Sequence, residues 1–531
     1  MTSRFTAAIA IIAGSCGLLT FAQAPKETEK SAVFLPGTQP EEGGIEFAKV
    51  QQCLMCHSKT ANGAADPYFS WQGGMMAQAA RDPVFRAALT ISNQDVPGVG
   101  EYCLRCHTPR GWLEGRSLAP DGSSLNSEDM HGVSCDVCHR LVDPLGEEAA
   151  GLVRHVPPGY GNGMMVADTA NVVRGPYADT SGAMPHRTMK SDYHASSTLC
   201  ATCHNVSNPL FAEDVSKQPP YAYGHIERTY SEWALSAFAD EGREGTCQSC
   251  HYPPVEGGGR ASRFNSPQRD HFVMHGPVGG STWVQETIAM LWGTKDIDPQ
   301  ALAAGRERAR QLLRTAASLE MSFPRPGRAT LRITNLTGHK LPTGYPEGRR
   351  MWVNVRYLDK AGAVIDEIGA YGRRQDTLGG ETVTVPTLLD EQRTRLYESL
   401  PGISRRQAAK HGKEPGKSFH FVLNDVIVKD NRIPPRGFSN AAFAGHLCQP
   451  VGATYADGQH WDDVPLALPE GTAAIEARLM YQSVSWEYIK FLAEENRTDD
   501  WGKRLYEAWT KTGFCPPEAI AELRADVPGT P

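Results

Sequence analysis

The pattern of apolar and polar positions divides the chain before any single residue is considered. From about residue 46 to 320 aliphatic residues are sparse and Gly, Pro and Asn are frequent. Such a stretch predicts short helices joined by loops, with the clearest helices over 72–90, 230–241 and 282–320. In the last of these, Trp283, Ile288, Leu291 and Trp292 fall on one face, and the Arg/Ala-rich run 301–318 continues it with strong helix formers. At Met321-Ser-Phe-Pro-Arg-Pro-Gly327 the character changes to period-two alternation. Ala329–Thr334, Met351–Tyr357 and Val364–Ile368 read as strands, with a Lys360-Ala-Gly turn between the last two, and further β-type runs follow at 418–428 and 474–482. These predict a β-sandwich-like domain over 321–482. Helix is expected again from Trp486 to Leu523, where Tyr488, Phe491 and Leu492, then Leu505, Tyr506 and Trp509, form apolar stripes suited to packing. The expected class is α+β: a mainly helical, loop-rich domain at 46–320, the sandwich at 321–482, and a C-terminal helical segment at 483–531.

Length and charge narrow the picture. At 531 residues the chain is long enough for several domains, and its formal net charge of −7 favours a basic protein partner over nucleic acid or an anionic membrane. Residues 1–24 resemble an export signal: Arg4, a mostly apolar run from Phe5 to Phe21, then Ala22-Gln-Ala24 as a small-residue cleavage site. A competing lipoprotein reading ends at Ala13-Gly-Ser-Cys16 and would anchor Cys16 in lipid, but Ala13 stands where Leu is usual and the apolar run continues past the cysteine. Residues 25–45 are a polar, breaker-rich lead-in, and no other stretch approaches the ~18 apolar residues of a membrane span. A periplasmic or extracellular location is expected.

Ten of the thirteen cysteines lie in one pentapeptide repeated five times: Cys53-Leu-Met-Cys56-His57, Cys103-Leu-Arg-Cys106-His107, Cys135-Asp-Val-Cys138-His139, Cys200-Ala-Thr-Cys203-His204 and Cys247-Gln-Ser-Cys250-His251. This is the spacing of c-type haem attachment. Two thiols separated by two residues span the porphyrin vinyl groups, and the next side chain falls under the iron. Zinc sites built from Cys-x-x-Cys pairs need no histidine after each pair. Five covalently attached haem c groups are expected, with His57, His107, His139, His204 and His251 as proximal ligands. An oxidising compartment favours a Cys448–Cys515 disulfide, with two ordinary buried thiols as the alternative.

The second axial ligands must come from the remaining histidines and methionines. His131 lies four residues before Cys135; His186 and His194 precede Cys200; His271 and His275 follow the last motif, with His275 opening a flexible Gly-Pro-Val-Gly-Gly run. A weak repeat relates Trp71-Gln-Gly-Gly-Met-Met76-Ala to Trp233-Ala-Leu-Ser-Ala-Phe238-Ala, each preceding a motif. On these residues, with His131-Gly-Val-Ser-Cys-Asp-Val-Cys-His and Leu199-Cys-Ala-Thr-Cys-His-Asn-Val, the segment 45–280 resembles the multihaem cytochromes related to the tetrahaem electron acceptor of hydroxylamine oxidoreductase. In that family the frame often reads Trp-x-x-Ser-x-His-Ala with a ligating histidine. This chain departs from it, carrying Met76, which can still ligate and would raise the potential, and Phe238, which cannot. The phrase Asn335-Leu-Thr-Gly-His339-Lys-Leu-Pro-Thr-Gly344 resembles an element appended to such cytochromes. His339 is either an exposed turn residue or a ligand donated by the β-domain.

Two functions follow. Irons closed on both faces make an electron carrier exchanging electrons with other redox proteins, such as cytochromes or a membrane quinol-oxidising complex. The alternative is an oxidoreductase of the hydroxylamine-oxidising or nitrite-reducing kind, with one open-faced haem and proton-moving groups such as His155, Tyr160 and His225. The Cys-x-x-Cys-Lys motif of pentahaem nitrite reductases is absent from the sequence, which favours the carrier.

Overall fold

The computed structural model describes residues 33–178, 186–264 and 266–529; the expected export signal and Cys16 lie outside them. Among the described residues no helix is long and apolar enough to cross a membrane.

The first half is a mesh of short helices, as its composition requires. Four of the motifs lie on helices, Val50–His57, Gly100–His107, Cys135–His139 and Cys247–His251, while Ser197–Ala201 runs into the fourth. Side-chain caps fix two of these starts: Thr246 accepts from Ser249 N–H and Ser196 from Thr198 N–H. The expected helix over 72–90 is corrected. Residues 73–81 form turns, and the helix runs Pro83–Asp95 with Asp82 Oδ1 accepting from Val84 N–H at 2.8 Å. The turns answer a close approach, since a Cβ on Gly73 would stand 2.2 Å from the Ala301 carbonyl oxygen. Over 230–241 a short helix, Thr229–Ala234, gives way to a 3₁₀ turn at Ala237–Asp240.

The long helix expected over 282–320 is likewise corrected. It is two helices, Val284–Trp292 and Pro299–Leu313, parted by Gly293 at φ 70° and restarted by the Asp298 cap. Strand begins at Ala317, before the expected boundary at 321.

Two antiparallel sheets form a sandwich. One orders Trp461–Ala467, Arg328–Asn335 and Ala317–Arg325; the other orders Val364–Ile368, Arg350–Leu358, Ala474–Gln482 and Glu518–Asp526, with Leu396–Tyr397 also paired to Arg350–Leu358. Leu331 and Ile333 from the first meet Val353, Val355, Ile475, Ala477 and Leu479 from the second in one core. The run 418–428 is not one strand. A 3₁₀ turn at Phe421–Leu423 interrupts it, held as Asn424 Nδ2 donates to Ser418 O and Asn208 Nδ2, from the haem-motif half, donates to Val422 O.

The C-terminal segment also departs from expectation. Its helices, Trp486–Glu495 and Trp501–Lys511, pack onto Pro83–Asp95 and Val284–Trp292 through Trp283, Ile288, Trp486 and Trp509. Glu518–Asp526 is then a strand paired along Ala474–Tyr481. Cys448 and Cys515 are both free, buried in separate clusters, so the favoured disulfide is absent and each behaves as a small apolar side chain.

Candidate functional site

Each motif histidine has its Nδ1 committed and Nε2 left to bind metal. His57 Nδ1 pairs with the Ala261 carbonyl at 2.7 Å, His107 with Ala79 at 3.2 Å, His139 with Arg174 at 2.5 Å and His251 with Val278 at 2.6 Å. His204 Nδ1 instead faces Glu227 Oε1 at 3.5 Å. An Nδ1–H held by a carbonyl or carboxylate fixes the tautomer and aims Nε2, which is the usual second shell of a metal-bound imidazole. Burial works against the imidazolium of His204, yet Glu227 outweighs it and holds the pKa above the ordinary value. Burial dominates at His107 and His251, pushing both down to about 4 and keeping them neutral, the form that binds metal.

Ring geometry tests the second ligands. With a metal–nitrogen bond of about 2.0 Å and a nitrogen roughly 1.1 Å from the ring centre, two imidazoles facing one another across a metal would have centroids about 6.2 Å apart. His57 and His186 are 6.3 Å apart, His251 and His339 6.3 Å, and His139 and His275 6.4 Å. His194 also faces His139, at 5.7 Å, but its Nε2 is turned to the Cys138 carbonyl at 3.0 Å. His339 reaches the first half from the β-domain, its Nδ1 bonded to Lys340 O at 3.0 Å. Among the described residues no imidazole ring pairs with those of His107 or His204; Phe85 stacks on His107 at 3.7 Å.

Other candidates fall elsewhere. His131 is buried against Trp71, with centroids 6.1 Å apart. His155 is exposed and edges Phe34, His271 offers its carbonyl to Tyr177, and Tyr160 donates to Asp143. His225 is half-buried, with both ring nitrogens shielded from solvent and unpartnered. The Trp frame has a structural role in both copies. Trp71 Nε1 donates to Val133 O at 3.0 Å and Trp233 Nε1 to Gly245 O at 2.7 Å, in each case the carbonyl two residues before the first cysteine of a motif. Met76 supplies its backbone carbonyl to Val133 N–H at 2.9 Å. Gly132, at φ 56°, permits that approach, because a Cβ there would lie 2.4 Å from the same oxygen.

The motif segments, and with them their sulfurs, pack together. The helix Val50–His57 packs on Cys135–His139 and Ser197–Ala201 on Cys247–His251, His194 just before motif four reaches the Cys138 carbonyl at 3.0 Å, and Gly163, whose N–H donates to Thr202 O in motif four, lies against Cys106 Sγ. In the haem-loaded chain these sulfurs are thioethers. Motif three therefore stands between one and four, and motif four contacts both two and five.

Fixed tautomers, facing imidazoles and clustered attachment cysteines define a multihaem c-type cytochrome with covalently bound haem. Residues 52–140 match the cytochrome c554 and c-prime family. The fold is similar to that of a penta-heme cytochrome c552 from Thermochromatium tepidum, at 16% identity and a TM-score of 0.52 over 90% of this chain and 99% of that one. No curated protein matches the chain. Sequence reasoning had no means of finding Glu227, which enters through the short strand His225–Glu227, or the four carbonyls that orient the histidines.

Proposed function

We propose that the chain carries five haem c groups and serves as an exported electron carrier, periplasmic or extracellular, between redox proteins. When bound, each group supplies a one-electron iron couple. Imidazole pairs His57/His186, His139/His275 and His251/His339 would close both faces of three irons, excluding substrate and water and holding ligand geometry fixed between oxidation states. The observation that carries the reading is the packing of the five motif segments into one connected cluster, since tunnelling needs short edge separations.

A second reading rests on motif two. No imidazole ring pairs with that of His107 among the described residues, while Phe85, which cannot ligate, stacks on it at 3.7 Å. That combination favours one open iron face, as an oxidoreductase acting on hydroxylamine or nitrite would need. Near-infrared magnetic circular dichroism with EPR on the oxidised holoprotein separates the two. The carrier gives only low-spin signals, with bis-histidine loss in His186→Ala and His275→Ala but not in His194→Ala. A high-spin signal that shifts on adding nitrite or hydroxylamine replaces the carrier by the enzyme.

A further inference from the structure

We infer that the exposed face around the first motif docks an acidic redox protein; the inference rests on a haem being held at that motif. Motif one is an end of the cluster, its helix Val50–His57 packing on the motif-three helix Cys135–His139. Its helix carries Met55, 56% exposed inside the attachment loop, and beside it stands Phe264, 58% exposed. The segment bearing Phe264 is bound to the motif itself: Arg263 N–H donates to Cys56 O at 2.9 Å, and Ala261 O accepts from His57 Nδ1.

The charge here runs against the whole chain. Residues 47–65 and 257–269 contain no Asp or Glu, although exposed Glu46, Glu256 and Asp270 border them and the protein is net −7. Lys59, Arg260 and Arg263 are exposed, and none forms an ion pair among the described residues; Arg187, one residue after His186, is exposed as well. Arg263 lies over the Phe264 ring at 4.7 Å, which leaves its charge facing outward. Two exposed apolar side chains, with exposed and unpaired cations on the same two segments, at the attachment loop of a terminal motif, match a transient redox interface. Charge complementarity steers the encounter, and a small apolar centre excludes water at the electron exit. The expectation of a basic partner, drawn from net charge, is reversed locally. Because exposed charges act over only about 10 Å at 0.1 M salt, the local patch outweighs the distant excess of carboxylates.

The probe is a plant-type ferredoxin, an acidic one-electron donor, with mitochondrial-type cytochrome c as its basic counterpart. Stopped-flow reduction of the holoprotein by reduced ferredoxin is expected to slow about ten-fold or more between low and near-molar salt. Lys59→Glu/Arg260→Glu/Arg263→Glu should lose that salt dependence and its low-salt advantage, with spectra unchanged. Calorimetric titration of the two oxidised proteins, in which no electron moves, should lose its heat in the same variant. Unchanged rates and heats in the variant overturn the docking face. So does a variant that stops binding anionic vesicles while its ferredoxin kinetics stay intact, which would make the patch a membrane contact. A pyridine haemochrome count of four instead of five would sink the functional reading itself, and is read independently of any partner.

Discussion

Asp430→Asn perturbs the charge network that seats the His339 loop. Asp430 accepts from Lys340 Nζ at 2.6 Å and from Arg432 Nε and Nη2 at 2.8 and 2.7 Å. Arg432 also meets Glu232 at 3.1 Å, and Glu232 accepts from Lys340 N–H and the Thr343 hydroxyl. All four charged side chains are at most 5% exposed, and two cations balance two anions. Asparagine keeps the shape and removes one anion, leaving an excess positive charge in a dry site. Each lost attraction is worth about 4 kcal/mol at 4 Å and an effective dielectric of 20. The desolvation recovered by the lost carboxylate offsets part, so a net loss of about 3–5 kcal/mol is expected.

The network joins Glu232, on the helix Thr229–Ala234, to the β-domain, so the loss should appear first as release of the loop carrying His339. The assay is guanidinium unfolding of the holoprotein by circular dichroism, with EPR at each step for a new high-spin centre. Lys340→Met alone unbalances the network the other way. The double variant, in which Arg432 faces Glu232 one to one, should recover at least about 2 kcal/mol relative to additivity. Additive losses, or a loss under about 1 kcal/mol for Asp430→Asn, refute the coupled network.

Two further outcomes follow from single carboxyls. Glu227→Gln removes the anion facing His204 Nδ1, makes that imidazole a weaker donor, and should raise one reduction potential by on the order of 60 mV in a spectroelectrochemical titration; an unchanged set of potentials contradicts the role given to Glu227. Burial pushes the Glu347 carboxyl up to about 8, and its Oε2 has no partner. The folded state therefore binds this proton more tightly than the unfolded chain. The group costs nothing below its unfolded pKa of about 4.3, and a penalty grows as pH rises from there toward 8, reaching roughly 3.5 kcal/mol at pH 7. Glu347→Gln should match wild type near pH 4 and exceed it in denaturation midpoint at pH 7–8; equal pH slopes in the two proteins refute the assignment.

What was legible in the sequence follows from the range over which each feature is determined. The attachment motifs are fixed by covalent chemistry within five residues, so they could be read directly. Strands such as Met351–Tyr357 show β-type alternation in the sequence, although in the fold this one is buried along nearly its whole length. The facing imidazoles were only candidates in the sequence, because His57 and His186, or His251 and His339, meet through packing that no local pattern encodes. The final strand was missed for a different reason. Glu518-Ala-Ile-Ala-Glu-Leu-Arg-Ala-Asp526 alternates, but Ala, Glu and Leu are strong helix formers, and pairing with Ala474–Tyr481 overrides that propensity. The disulfide was inferred from compartment alone; the two cysteines belong to different cores.

These departures share a cause. A half built of short helices and loops has few aliphatic side chains of its own, so its second half must supply rigidity. Asp499 accepts from Thr90, and Glu495 O accepts from Gln94, which clamps the helix Pro83–Asp95 whose Phe85 stacks on His107. Lys340 N–H and Arg432 hold Glu232 from the β-side, and Trp233 on the same helix orients the approach to the fifth motif. The C-terminal helices and the His339 loop thus act at motifs two and five, the two positions that contact motif four. On the proposed ligation the β-half belongs to the haem-holding architecture, and loosening it should alter ligation at those two motifs before it alters motifs one and three.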